Sequence, residues 1–129
     1  MTREEERAIE HECARLVAYY ANRNDESAWA ELANLFVADG RLARPTAPDD
    51  VIVGRDAILA AFKARPPRRT RHLCTNIVIH VIGEREASGE CAIALFLAED
   101  RIKVGTFNDR FRLTEQGWRF AERLGTLTF

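Results

Sequence analysis

Apolar side chains recur every three or four positions in the first part of the chain, which is the spacing of one helical face. Residues 22–25 interrupt this spacing, and a second apolar stripe follows. The pattern therefore predicts two helices within residues 1–36, the second closed by a turn at Asp39 and Gly40. The first stripe consists of Ile9, Cys13, Leu16, Val17 and Tyr20, and the second of Trp29, Leu32, Ala33 and Phe36.

The middle of the chain is broken up by proline and glycine. We expect a short strand at 41–44, stopped by Pro45, and a loop over 45–50. A second short strand is predicted at 51–53, and Gly54 opens a third helix that ends at Pro66 and Pro67.

From residue 71 onward the pattern is typical of strands, with segments separated by short turns. Consecutive strands joined in this way form antiparallel hairpins, so helices followed by a meander predict an α+β domain. One domain over residues 1–129 fits the length. The predicted strands are 71–82, 87–97, 101–113 and 118–127.

Two strands place polar groups on faces expected to point inward. Asp109 lies between Phe107 and Phe111 on one strand face, and His72, Cys74 and Asn76 share a face of another. Polar residues in a row on an inward face predict the lining of a cavity, although the thiol alone is more typical of packing.

Composition narrows the classes of partner. The chain has 19 basic and 20 acidic residues and a net charge of -1, so no global field attracts nucleic acid or an anionic membrane. Small, largely apolar ligands are the expected partners. A basic stretch without interleaved aromatic residues is interpreted as a solvated loop face. It contains Lys63, Arg65, Arg68, Arg69 and Arg71.

Three isolated cysteines, Cys13, Cys74 and Cys91, form no C-x-x-C pair, so neither a zinc site nor a disulfide framework is indicated. The N-terminus is too charged for a signal peptide, and no apolar run reaches membrane-spanning length. We therefore expect a reducing, cytoplasmic location.

Five segments, in this order, resemble SnoaL-like proteins of the nuclear-transport-factor-2-like superfamily. The resemblance spans nearly the whole chain and is more specific for the fold than for a reaction. The segments are 20–36, 53–58, 71–76, 105–111 and 117–120.

The resemblance implies a cone-shaped, strongly curved mixed or antiparallel sheet, wrapped with three N-terminal helices around an apolar pocket. It also implies a homodimer or higher homo-oligomer. The most similar pattern is that of scytalone dehydratase, lindane dehydrochlorinase and bile-acid dehydratase, whose catalytic aspartate and histidine correspond to Asp25 and His72. A tyrosine of some members corresponds to Tyr20.

A neutral histidine accepts a proton at cellular pH, and a carboxylate on its other nitrogen fixes the tautomer. We therefore predict His72 and Asp25 as a catalytic dyad that needs no metal or cofactor, with Tyr20 or Asn76 donating to a developing oxyanion. The other predicted substrate contacts are Asp109, Trp29 and Phe107.

Structural roles compete with each of these assignments. His72 would be an ordinary buried histidine and Asp25 the N-cap of the second helix. Trp29 and Tyr20 on helical stripes are often core residues, and Asp109 would pair with Arg110 or Arg123.

Two functions follow. The first is a dehydratase-like lyase or isomerase that acts on a small cyclic or polyketide-like substrate. The second is a non-catalytic protein that binds a small hydrophobic or aromatic ligand in the same cavity.

Overall fold

A computed structural model describes all residues, 1–129. The chain forms three helices and six strands. The helices are α1 (Arg3–Asp25), α2 (Trp29–Ala33) and α3 (Arg55–Lys63). The strands are β1 (Phe36–Ala43), β2 (Val51–Val53), β3 (Thr70–Val81), β4 (Glu86–Leu97), β5 (Arg101–Thr114) and β6 (Gly117–Leu127).

The start of α1 is fixed by local chemistry. The Thr2 hydroxyl accepts a hydrogen bond from the Glu5 backbone N–H at 3.1 Å, and the Glu5 carboxylate accepts one from the Thr2 backbone N–H at 3.3 Å. This capping box satisfies two N–H groups that a helix start leaves free. At the other end, residues 22–25 continue the helix to Asp25, so the predicted break falls later than expected.

All six strands belong to one mixed sheet with the order β2-β1-β6-β5-β4-β3. Strands β3 to β6 form the predicted antiparallel meander, and β1 joins it by pairing parallel to β6. Helix α1 contacts both β6 and the edge strand β3, so the sheet curves around this helix. The predicted α+β class and curved mixed sheet are confirmed.

The second predicted helix was placed wrongly at its C-terminal end. Helix α2 stops at Ala33, and Phe36 begins β1, which continues through Asp39 and Gly40. Phe36 continues the spacing of the apolar stripe by coincidence, because its ring packs under β6 against Phe120 with centroids 5.4 Å apart. Tertiary pairing overrides the local pattern in this segment.

The core lies between α1, α3 and the concave face of the sheet. Its largest fully buried apolar side chains come from α2, α3 and the sheet, and their burial supplies the main driving force of folding. They include Phe36, Phe62, Phe111, Phe120, Leu32, Leu42 and Ile58. None of the helices combines the length and the apolar character that crossing a membrane requires.

Candidate active site

A cavity of about 460 Å³ opens between the end of α1, the end of α3 and the inner faces of β3, β4 and β5. One wall is apolar and includes Phe62, Ile93, Leu95 and Phe107. The expectation of an apolar pocket holds for this wall only, because basic side chains line another part of the cavity.

Asp25 is the last residue of α1, where the helix dipole disfavours negative charge, yet its side chain is only 7% exposed. Strand β3 stabilises the Asp25 carboxylate at this position with three hydrogen-bonding groups. Asp25 Oδ1 accepts from Thr70 Oγ1 at 2.9 Å and Oδ2 accepts from the His72 backbone N–H at 2.8 Å. The third contact joins Oδ1 to His72 Nδ1 at 2.6 Å.

Asp25 therefore does not cap the second helix. The N-cap residue of α2 is Ala28, and no side chain caps that helix. The structural alternative for Asp25 considered from sequence is wrong, and its carboxylate is directed at β3 instead.

His72 lines the cavity from β3, next to its cross-strand partner Leu95, and its side chain is 10% exposed. An ionised carboxylate can only accept hydrogen bonds, so the neutral imidazole carries its proton on Nδ1. The Nε2 atom makes no hydrogen bond within the chain, and its lone pair remains available for accepting a proton.

Burial lowers the pKa of His72 below its ordinary value. The hydrogen bond and charge of Asp25 oppose this change, while Arg68 and Arg65 add to it. The ring is therefore neutral at pH 7, which is the state that a general base needs.

Tyr20 lines the cavity from α1 and is 3% exposed. Burial raises the pKa of Tyr20 to about 12, although Arg123 and Arg65 oppose the rise. Its hydroxyl therefore stays protonated and can donate a hydrogen bond. The ring is held edge-on by four aromatic neighbours, Phe36, Phe62, Phe107 and Phe120.

Three predicted substrate contacts lie away from the cavity. Asn76 is exposed with a φ of 52°, at a register shift in β3 between Thr75 and Val78 that returns Ile77 to the inner face. The idea that Asn76 shares the face of His72 is therefore wrong.

Asp109 is buried behind the cavity wall and binds Arg123, whose Nε donates to Oδ1 at 2.8 Å and whose Nη2 donates to Oδ2 at 3.3 Å. It does not line the cavity, so the ion-pair alternative describes it correctly. Trp29 stacks on Phe62 with centroids 5.3 Å apart and supports the wall from behind.

Sequence reasoning missed several polar residues of the cavity. Asn24, next to Asp25, is 5% exposed and accepts a hydrogen bond from Arg65 Nη2 at 3.1 Å. Arg65 and Arg68 line the cavity together with Arg44 and Lys103, so the interpretation of the basic stretch as a solvated loop fails for two of its members. The sequence shows these basic residues, but it does not show that their side chains point into the cavity.

No group of three or more His, Cys, Asp or Glu side chains is arranged where it could hold a metal ion. The half-buried Cys74 packs against the core and does not line the cavity. Among the cavity residues, His72 can transfer a proton and Tyr20 can donate a hydrogen bond.

Solved structures share this fold. A proposed scytalone dehydratase from Novosphingobium aromaticivorans is 24% identical, with a TM-score of 0.88 over 99% of this chain and 89% of that chain. LinA is 16% identical, with a TM-score of 0.87 over 100% of this chain and 92% of its own. At these identities the likeness establishes the fold alone.

A protein of unknown function from Mycobacterium tuberculosis is 28% identical, with a TM-score of 0.86 over 98% of this chain and 76% of that one. None of the curated protein sequences matches this chain at a significant level. The family model described as a SnoaL-like domain matches residues 5–124. Since that match runs from the first turn of α1 into β6 and includes Asp25 and His72, the chain belongs to the SnoaL-like domain family.

Proposed function

We propose that this protein is a cofactor-independent, dehydratase-like lyase or isomerase in which His72 is the general base and Asp25 orients it. The observation that carries the proposal is the 2.6 Å contact between His72 Nδ1 and Asp25 Oδ1 at the wall of a cavity. The proposed substrate is a small cyclic or polyketide-like molecule with an acidic C–H next to a carbonyl group.

The reaction begins when His72 Nε2 removes the proton next to the carbonyl. The electrons of that C–H bond form a carbon–carbon double bond, and the C–O bond to a β-hydroxyl group breaks with its electron pair. The imidazolium then returns the proton to the departing oxygen, which leaves as water. Asp25 stabilises the imidazolium and holds the ring in place.

Charge that develops on the substrate carbonyl oxygen needs a donor. The Tyr20 hydroxyl is the candidate, because it lines the cavity and stays protonated. Asn24 is a second candidate, since its carbonyl oxygen is occupied by Arg65 and its amide nitrogen makes no hydrogen bond within the chain. Donors fixed before the reaction stabilise the transition state more than flexible ones.

One structural relative is a proposed scytalone dehydratase, which agrees with this reaction class. A cytoplasmic location and a homodimer or higher homo-oligomer belong to the same proposal. The three free cysteines support the former. Exposed apolar side chains on the outer sheet face, such as Leu73, Phe96 and Ile102, support the latter. Sedimentation velocity measures the oligomeric state.

The test uses cyclic β-hydroxy ketones, beginning with 3-hydroxy-1-tetralone, whose dehydration gives 1-naphthol and is followed by absorbance. His72→Ala should lower kcat by about 10²–10⁴-fold, the usual contribution of a general base. Asp25→Asn should lower kcat as well, because the imidazole loses its orienting carboxylate.

The matched control is His80→Ala, since His80 lies on the same strand but is exposed and outside the cavity. Its kcat should equal that of the wild type. Full activity of His72→Ala on any substrate that the wild type converts would refute the mechanism. Compounds that bind without any turnover by the wild type would favour the alternative of a ligand-binding protein.

A further inference from the structure

Four cationic side chains from separate segments converge on the cavity. Arg44 follows β1, Arg65 follows α3, Arg68 precedes β3, and Lys103 lies on β5. No aspartate or glutamate is among the residues that line the cavity, and none of the four cations forms a salt bridge within the chain. The chain thus concentrates positive charge in a cavity whose lining contains no carboxylate.

The nearest carboxylate is already occupied. Asp25 accepts hydrogen bonds from Thr70 and from the His72 backbone and contacts the His72 ring, while Arg71 lies 3.8 Å from it on the outer side. Partial burial lowers the pKa of both Arg65 and Arg68. Arg68 and Arg44 lower the pKa of Arg65 further, Arg44 does the same for Arg68, and the opposing charge of Asp25 is outweighed at both.

Arg65 is also held in position. Its Nη2 donates to Asn24, and its guanidinium lies 5.0 Å from the Trp29 ring centroid and 5.1 Å from that of Phe62. Its Nε is buried and has no hydrogen-bond partner. A cation that is fixed in place, close to other cations and incompletely satisfied costs folding free energy, which a bound anion would offset.

We propose that the ligand of this cavity carries an acidic group, a carboxylate or a phosphate ester, which binds between Arg44, Arg65 and Arg68. Its apolar body then lies along Phe62, Ile93 and Leu95, and its reacting carbon faces His72. The inference rests on the proposed function, in that one small molecule occupies the whole cavity. Guanidinium groups suit this role because they bind carboxylates and phosphates through paired hydrogen bonds.

Calorimetric titration with 2-naphthoate, 2-naphthyl phosphate and the neutral 2-naphthamide tests the charge requirement. At least one anion should bind about tenfold or more tightly than the amide, which corresponds to one charge-assisted hydrogen bond. If 2-naphthyl phosphate binds more tightly than 2-naphthoate, the natural ligand carries a phosphate group. If 2-naphthoate binds more tightly, it carries a carboxylate. Equal binding of all three would overturn the proposal.

Arg44→Gln combined with Arg68→Gln should remove most of the preference for the anion and leave amide binding within about twofold. The control Arg69→Gln changes an exposed neighbour that does not line the cavity, and it should bind like the wild type. The single variant Arg68→Gln, which changes the more exposed of the two arginines, replaces the double variant if the latter does not fold. An unchanged preference for the anion in the variants would also overturn the proposal.

The two proposals fail separately, because these titrations require no turnover. An anion preference that persists in His72→Ala, while no ketone is converted by the wild type, leaves the anion site standing without the enzyme. Conversely, dehydration that depends on His72, combined with equal binding of the three naphthalenes, leaves the enzyme standing without the anion site.

Discussion

Two buried carboxylates meet basic partners in this molecule. Each partner keeps a nitrogen without a hydrogen bond, but only that of His72 belongs to a residue that lines the cavity, since Arg123 Nη1 is buried in the core. The side chains of Asp109 and Arg123 are 1% and 0% exposed, and two hydrogen bonds join them. The side chains of Asp25 and His72 are 7% and 10% exposed, and the imidazole keeps one nitrogen without a partner. The first pair lies in the core, whereas the second borders a cavity.

The surroundings of Arg123 explain why the first pair has no further chemistry. Its guanidinium lies 3.9 Å from the ring centroid of Phe107, 4.4 Å from that of Tyr20 and 4.8 Å from that of Phe120. The rings of Phe107 and Tyr20 line the cavity and so lie between it and the ion pair. The comparison shows that a buried pair indicates reactivity only when one of its atoms remains available to a ligand.

The largest expected effect is on stability at the first pair. Asp109→Ala leaves the guanidinium of Arg123 buried without a counter-charge, which costs about 3–5 kcal/mol of unfolding free energy. Urea denaturation measures this change. The control Asp49→Ala, in an exposed loop, should stay within about 0.5 kcal/mol of the wild type. A loss below about 1 kcal/mol in Asp109→Ala would contradict the structural role.

A smaller loss is expected at the second pair. Asp25→Asn keeps an oxygen acceptor for Thr70 or the His72 N–H, and His72 is neutral, so about 1–3 kcal/mol should be lost. Thr70→Val, which removes one of the contacts, serves as the matched comparison and should cost about 1 kcal/mol. If Asp25→Asn destabilised the protein as strongly as Asp109→Ala, the contrast between the two pairs would be lost.

The smallest effect is a shift in pH dependence. Neutral His72 is the active base, so kcat/KM should rise with pH and level off above the pKa of His72. Arg68 lowers that pKa, so Arg68→Gln should raise it and move the acid limb to higher pH. The profile is measured with 3-hydroxy-1-tetralone, and Arg69→Gln should leave it in place. If the acid limb of Arg68→Gln moved to lower pH instead, Arg68 would not lower the pKa of His72 as assigned.

The meander could be predicted to within one or two residues because alternation and turn residues are local signals. The start of β1 could not, because it depends on pairing with β6, far away in sequence. Gly40 illustrates the difference, since a side chain there would come within 3.0 Å of the Val37 carbonyl oxygen and 3.1 Å of the Phe36 Cβ. Gly40 lies where the register between β1 and β6 is irregular, although the Asp39-Gly40 pair alone is typical of a turn.

The predicted site shows the same division. Asp25, His72 and Tyr20 could be placed because the family resemblance supplied their correspondence, and Phe107 because strand alternation puts it on an inward face. Asn76 was misplaced because one register shift in β3 reverses the face of every later residue. The arginines were misjudged for a related reason, since a loop sequence gives the charge of a side chain but not the side of the chain to which it points.

The hydrogen bond from the His72 backbone to Asp25 has a further consequence for folding. Strand β3 is an edge of the sheet, and its outward N–H groups are open to pairing with another chain. Asp25 occupies one of these groups at 2.8 Å, as a neighbouring strand would. The contact that completes the site therefore also covers one N–H group of the exposed sheet edge and joins the end of α1 to β3.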